Sequence, residues 1–419
     1  MIRPVPLACL LAAVAPSPAA AAWSETTTVP GSKEAVISRV AYARNGTVGV
    51  TWGDAKVAVR KPGGWRGARS LATPGTSAAM GDTAFDADGN LLVAWTQSPA
   101  RPGTPLRGPY TIRVVNWNPR RGWGSVRVLG RSRNFHLAQP RIATNSRGDA
   151  AVSWRGFRRS GRRVVEALAA STRIAGERFG PTRYASVGGP YRDVALDLRG
   201  NAYGVVTTYK GPVNHFVYMR RGRGWGKSER LPGTPASKPR IAVAADRSAV
   251  VAWRGAGVDS EGDGIQAGPA SAVLRSSTAS WTFPFALSPV RASDVNVIAV
   301  GGGYLVTWAA GFENPALPGS QDLHYALRGE GNYIGGDVIV PGARLGPSAP
   351  LDDGTMLVVY GADDGVRVIR WNRREWKFGP SELVGAGGLY PALADNGREA
   401  VATYLDRRRM RLKVRRITG

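Results

Sequence analysis

One unit recurs eight times along this 419-residue chain: a short apolar strand, a turn built on Asp, Asn or Gly, and a second apolar strand that ends on an aromatic residue. The turn position and the residue six places on are Gly46/Trp52, Gly89/Trp95, Gly148/Trp154, Gly200/Val206, Arg247/Trp253, Gly302/Trp308, Gly354/Tyr360 and Arg398/Tyr404. Only the fourth unit lacks the aromatic. Successive turns lie 43 to 59 residues apart, the length of one four-stranded propeller blade. Such a unit cannot bury both of its faces alone, so the period implies one large body rather than several independent domains.

The turns have a mechanism. Asn45-Gly46, Asp88-Gly89, Asp353-Gly354 and Asn396-Gly397 supply the positive φ that tight hairpins need. A third strand follows at Val57 to Arg60, Thr111 to Trp117, Arg163 to Leu168, Phe216 to Arg220 and Val366 to Trp371. A fourth opens with an aromatic beside glycine, as in Gly64-Trp65, Gly122-Trp123, Phe179-Gly180, Gly224-Trp225 and Phe378-Gly379. The eighth unit stops after its third strand, Arg411 to Arg416, and the missing fourth is found at the other end, in Trp23 to Gly31. The expectation is an all-β fold: a single closed β-propeller of eight four-stranded blades, the N-terminal strand completing the last blade and removing the exposed sheet edges. A seven-bladed ring with one irregular pair is the alternative.

Units such as "PRIATNSRGDAAVSW" and "KPRIAVAADRSAVVAW" resemble those of secreted bacterial β-propellers of the sialidase-like and WD-repeat-like type, in particular arginine-rich actinobacterial repeat proteins. The resemblance covers Trp23 to Gly419. The chain departs from the sialidase Asp-box, because no serine-aspartate pair leads the turn, and from quinoprotein dehydrogenases, whose Gly-to-Trp spacing is four. Fold kinship of this kind does not carry an activity over.

Residues 1–22 combine Arg3, an apolar run from Leu7 to Val14 and a stretch of alanines ending at Ala22. This reads as a secretory signal peptide, leaving residues 23–419 as the propeller domain of a secreted protein. No later segment approaches the roughly 20 apolar residues of a membrane span. Cys9 is the sole cysteine, so the mature chain has no thiol for disulfides, catalysis or metal ligation. Lys and Arg number 56 against 30 Asp and Glu, a formal charge of +26, and only eight of the cations are lysines. That balance favours contact with anionic polymers, although a GC-rich genome would write the same arginines.

The residue seven before each turn position should occur at one level of the central channel. It is Arg39, Asp82, Arg141, Asp193, Arg240, Val295 with Asp294 adjacent, Pro347 and Pro391. Arginine and aspartate alternate over five units, which suits either a site for a carboxylate or sulfate or a ring of neighbouring ion pairs. Long connections between second and third strands, at Thr96 to Tyr110, Arg155 to Arg162, Arg254 to Gly264 and Ala309 to Gln321, gather on one face and mark it as the binding face. Candidates there are Phe157, Arg158, Arg159, Phe312 and Glu313. Asp259, Glu261 and Asp263 alternate ahead of Gly264 as in calcium loops, but Ala270 stands where a bidentate Glu would close the site. A solvated acidic loop is the simpler reading, and no other cofactor is implied.

Enzymatic signals are thin. His136, His215 and His324 fall in different units without metal spacing, and no nucleophile elbow or phosphate loop occurs. Basic clusters on both faces argue against a dedicated nucleic-acid groove. The sequence therefore points to a monomeric, non-catalytic binding or scaffold protein for a glycan, cell-wall polymer or protein partner. The alternative is a sialidase-like glycoside hydrolase or polysaccharide lyase acting on an anionic glycan.

Overall fold

In the computed structural model the chain closes into a ring of eight blades. The structure describes residues 24–417 apart from 34, 36–37, 100–107, 209–212, 234–235, 259–264, 279, 283, 301–302, 312–320, 329–332 and 373–376. Blade three is representative: strand A is Ala138–Thr144, B Ala150–Ser160, C Arg163–Arg173 and D Arg183–Tyr184, in that order from the centre outward. In blade eight, A is Gly388–Asp395, B Ala400–Asp406 and C Arg411–Ile417, and D is the N-terminal Thr27–Thr28, with Thr27 opposite Val414 and Thr28 opposite Lys413. Val29 extends the clasp, its N–H donating to Leu412 O at 2.9 Å, and its side chain is buried.

The irregular pair that the sequence left open is a seam and not a missing blade. Phe285–Val300 is one unbroken strand: its first half pairs with strand C of blade five, and its second half pairs with Gly303–Gly311 as strand A of blade six. Two blades therefore share one seven-stranded sheet.

The repeated aromatics pack between blades. Trp52, Trp95, Trp154, Trp253, Trp308 and Tyr360 are almost fully buried. Trp154 of blade three joins Leu92 and Ile112 of blade two in one apolar cluster. Glycine makes room for them: a Cβ on Gly130 would sit 2.9 Å from the Trp154 ring, and one on Gly233 3.0 Å from Trp253. The segment that opens strand D sets a second repeated contact in seven of the blades, where one backbone N–H donates to the C strand at 2.8 Å. Arg66 reaches Val59 O, Gly124 Asn116 O, Gly180 Thr172 O, Gly226 Tyr218 O, Thr282 Leu274 O and Gly379 Arg370 O, and Ser24 N to Arg416 O is the same bond across the ring closure.

The A–B turns form a belt on the opposite face from the B–C connections. Gly46, Gly89, Gly148, Gly200 and Gly354 all hold φ between 74° and 87°. Arg247 takes φ 73° at the matching place in blade five, at a cost on the order of 1 kcal/mol for a residue with a Cβ. Polar bonds tie each turn to the next blade: Arg173 pairs with Asp86 at 2.7 Å, Arg221 with Asp149 at 2.8 Å, and Asn145 Nδ2 donates to Asp197 O at 2.8 Å.

Between blades seven and eight, burial and the neighbouring Asp352 carboxylate outweigh the Gly397 N–H and push the Asp395 carboxyl up to about 6. Its unfolded value is about 3.9, so the folded state holds the proton more tightly. The contribution of this group to stability is greatest below pH 4 and is lost as pH rises through 6. Asp395→Asn keeps the Oδ1 acceptor for Gly397 and removes the charge. It should stabilise the ring by about 2 kcal/mol at pH 8 and by nothing at pH 4; urea unfolding at the two pH values measures both.

Three expectations need correction. The A–B turns of units six and eight are shorter by one residue, so Asn296 faces Thr307 and Ala392 faces Thr403, as Arg39 faces Thr51. Asn296 and Ala392, not Val295 and Pro391, therefore occupy the channel level, while the positive φ of unit eight is at Gly397, as the Asn396-Gly397 pair predicts. Arg155 to Arg162 is not a loop: strands B and C continue in register to Ser160 opposite Arg163 and turn through Gly161, making a ribbon that stands out from the blade.

Candidate functional site

The channel residues are aimed by irregularities in the A strands. The register slips just ahead of Asp82, Arg141, Arg240 and Asp294, and Pro140 and Pro239 fall within two of these bulges. A bulge tolerates proline and turns the next side chain away from the regular pleat.

Arg39, Asp82, Arg141, Asp193 and Arg240 do share one level of the channel. Burial holds the Arg39 guanidinium below its usual range, as do the charges of Arg141 and Arg240, while Asp82 acts the other way. Burial likewise pushes the Asp193 carboxyl up, opposed by Arg240, Arg141 and the N–H groups of Ile241 and Val194. Of the two arrangements the sequence allows, the ring of ion pairs does not form among the described residues. Asp82 Oδ2 accepts Ile142 N–H of blade three at 2.9 Å and Oδ1 accepts Thr83 N–H at 3.0 Å; Asp193 Oδ2 accepts Ile241 N–H of blade five at 3.2 Å. Each aspartate thus stitches its blade to the next through the residue following an arginine. Asp294 accepts its own neighbour, Val295 N–H, at 2.9 Å.

The arginines are left without carboxylate partners. Among the described residues none of Arg39, Arg141 and Arg240 makes an ion pair within 4.0 Å. Arg39 has one long bond, Nη1 to Ser38 O at 3.3 Å, and its Nε is buried with no partner. Three guanidinium groups facing two carboxylates already engaged with backbone leave this level of the channel with an excess of positive charge. The charge is confined to blades one to five, since Asn296, Pro347 and Ala392 complete the level.

A likeness of fold accompanies this geometry. The chain is similar to the Dos1 propeller, with 10% identity, 94% of each chain covered and a TM-score of 0.56. It is similar to the PL25 ulvan lyase bound to -[GlcA(1-4)Rha3S]-, with 11% identity, 93% of this chain and 95% of that one covered, and a TM-score of 0.50. A protein of unknown function from Dyadobacter fermentans aligns at 10% identity over 93% and 99% of the chains, with a TM-score of 0.48. No family model matches the chain, and no curated protein is similar to it. What these likenesses share is the propeller. They assign no family, and the function has to be argued from the side chains.

On the rim of the B–C face, Phe157 stands on the blade-three ribbon and is stacked on Phe135 at 4.7 Å, with the rings inclined by 24°. The Arg155 guanidinium lies 5.5 Å from the Phe157 centroid and pairs with Glu166 at 2.8 Å. Arg158 and Arg159 follow on the same ribbon, Arg158 half-buried and Arg159 exposed. His136 meets Tyr110 edge-on at 5.0 Å, and partial burial together with the Arg155 charge lowers its basicity. Burial and the adjacent Arg131 hold the Arg113 guanidinium down as well. Sequence reasoning missed Phe135. Its signal was present in Arg131-Ser-Arg133-Asn-Phe135-His136, a connection between blades that opens on the same face.

Phe312 and Glu313 lie outside the described residues, as do Asp259, Glu261 and Asp263 and the N-terminal residues 1–22 in which the sequence suggested a signal peptide. Among the described residues no group of three His, Cys, Asp or Glu side chains is placed to hold a metal ion.

Proposed function

We propose that the protein is a secreted, non-catalytic binding module for an acidic glycan or cell-wall polymer. The observation that carries this reading is the set of three channel arginines, Arg39, Arg141 and Arg240, left without carboxylates because Asp82 and Asp193 bind the backbone of the next blade. Guanidinium groups in this setting take carboxylate or sulfate groups through charge-assisted hydrogen bonds. The exposed Phe135 ring and the half-buried Phe157 ring offer a flat apolar surface on the same face, suited to a sugar ring.

The test is equilibrium binding of residues 23–419 to acidic and neutral polysaccharides at 150 and 500 mM NaCl. Acidic polymers should bind saturably and retain binding at the higher salt, because a recessed site is screened less than a surface one. Arg39→Ala, Arg141→Ala and Arg240→Ala combined should weaken that binding by about 100-fold. A folded triple variant that binds every polymer like the parent overturns the reading.

One observation favours catalysis as a second reading. Asp193 is a carboxyl raised by burial beside two arginines, the setting of an acid catalyst next to an anionic substrate. Shortening of the bound polymer on incubation, lost in Asp193→Asn, would move the protein to the hydrolases or lyases.

A further inference from the structure

On the face of the A–B turns, away from the channel arginines described above, blades four and five border an open pocket of about 560 Å³ lined by Arg199, Asn201, Tyr218, Arg220, Arg221 and Arg247. No carboxylate lines it. Three carboxylates just outside it are already engaged, none of them with the Arg199, Arg220 or Arg247 guanidinium. Asp149 pairs with Arg221 at 2.8 Å. Asp197 accepts the N–H groups of Arg199 and Asn201, Asn201 Nδ2 and the Tyr203 hydroxyl. Asp246 accepts both N–H and Oγ–H of Ser248. Among the described residues the guanidinium groups of Arg199, Arg220 and Arg247 have no anionic partner.

The backbone supplies an independent sign. Arg247 occupies the turn place where Gly46, Gly89, Gly148, Gly200 and Gly354 stand in five other blades, and it adopts their left-handed conformation, φ 73°. Glycine fits that conformation without strain. A large side chain there breaks the local rule followed around the ring, and such exceptions concentrate at functional positions.

We infer that this pocket is a binding site for a small phosphomonoester of sugar-phosphate size. Three unpaired guanidinium groups call for a ligand with about two negative charges in a compact, multiply accepting group, which a phosphate monoester supplies at neutral pH. The volume far exceeds one phosphate and suits a small organic ligand. Arg199, Arg220 and Arg247 hold the phosphate, and the half-buried Tyr218 ring and hydroxyl meet the rest. Burial first, then the Asp197 charge, pushes that hydroxyl up, against the charges of Arg220, Arg247 and Arg275.

Calorimetric titration of residues 23–419 in 150 mM NaCl at pH 7.5 with glucose 6-phosphate, inorganic phosphate and glucose tests the site. Glucose 6-phosphate should saturate one site, inorganic phosphate should bind at least 10-fold more weakly, and glucose should give no heat. Lowering the pH to 5 should weaken glucose 6-phosphate several-fold, as the ester loses its second charge. Arg220→Ala and Arg247→Gly should each weaken it at least 10-fold. Arg247→Gly is protected against trivial failure, since glycine suits the backbone there and the melting temperature should be no lower than the parent's. The channel variant lacking Arg39, Arg141 and Arg240 should bind glucose 6-phosphate normally. Absence of saturable heat, equal affinity for inorganic phosphate, indifference to the Arg220→Ala/Arg247→Gly double change, or loss of binding in the channel variant would each overturn the proposal.

Discussion

Val29→Asp should leave little closed ring. Val29 is 1% exposed and sits in the cluster that joins blade eight to blade one, with Val40, Tyr42, Leu405, Leu412 and Val414. An aspartate there buries a charge without a partner and costs about 3–5 kcal/mol, a large share of the 5–15 kcal/mol typical of whole proteins. The damage extends beyond one side chain. Val29 N–H bonds Leu412 O, Ser32 Oγ accepts Leu412 N–H, and Lys413 Nζ reaches Thr28 Oγ1, so freeing the clasp uncovers Arg411–Ile417 as an open strand edge. Size-exclusion chromatography and urea unfolding read the outcome. Glu25→Ala, at an exposed position of the same segment, should be near neutral; equal behaviour of the two variants would mean that the clasp contributes nothing.

The second large effect is expected at Arg173. Its ion pair with Asp86 is 2.7 Å long, with side chains 8% and 2% exposed, and it bridges blades two and three. Asp86 also accepts the N–H groups of Asp88 and Asn90 and the Asn90 side chain, so it organises its own turn while anchoring the neighbour. Arg173→Ala strands a buried carboxylate and should cost about 3–4 kcal/mol. Combining Arg173→Met with Asp86→Asn removes both charges and should recover some of the loss. A double-mutant cycle in urea separates the pair from the turn; strict additivity would show that the two side chains do not act together.

The blade architecture was legible because its signals are local. Glycine at a left-handed turn and an aromatic six residues later are properties of one short segment, and Trp23 to Gly31 could be matched to other D strands by composition alone. The channel level was legible only where turns keep one length. In units six and eight a turn shorter by one residue moves Asn296 and Ala392 into place, a shift that only strand pairing reveals. The behaviour of Asp82 and Asp193 was not legible, since their partners, Ile142 and Ile241, lie 60 and 48 residues away and are backbone groups. Arginine alternating with aspartate reads as ion pairing until the acceptors are seen to be occupied. The ribbon of blade three was misread for a different reason. Arg155, Phe157 and Arg159 alternate with period two, but their charge and the loop-like Gly161 masked a strand.

The unbroken strand Phe285–Val300 gives the ring one joint unlike the others. Elsewhere neighbouring blades meet mainly through side chains and scattered polar bonds, so a local opening needs only to separate one packed face from another. Between blades five and six, Ser271 opposite Ala286 and Asn296 opposite Thr307 belong to ladders on the same strand, so opening must bend a continuous strand that both ladders hold extended. In repeat folds the strength of neighbour coupling decides how much of the chain unfolds together. These two blades should therefore exchange their amide protons as one cooperative unit, which native-state hydrogen exchange would read. The circle is eightfold in form and sevenfold in its elementary openings.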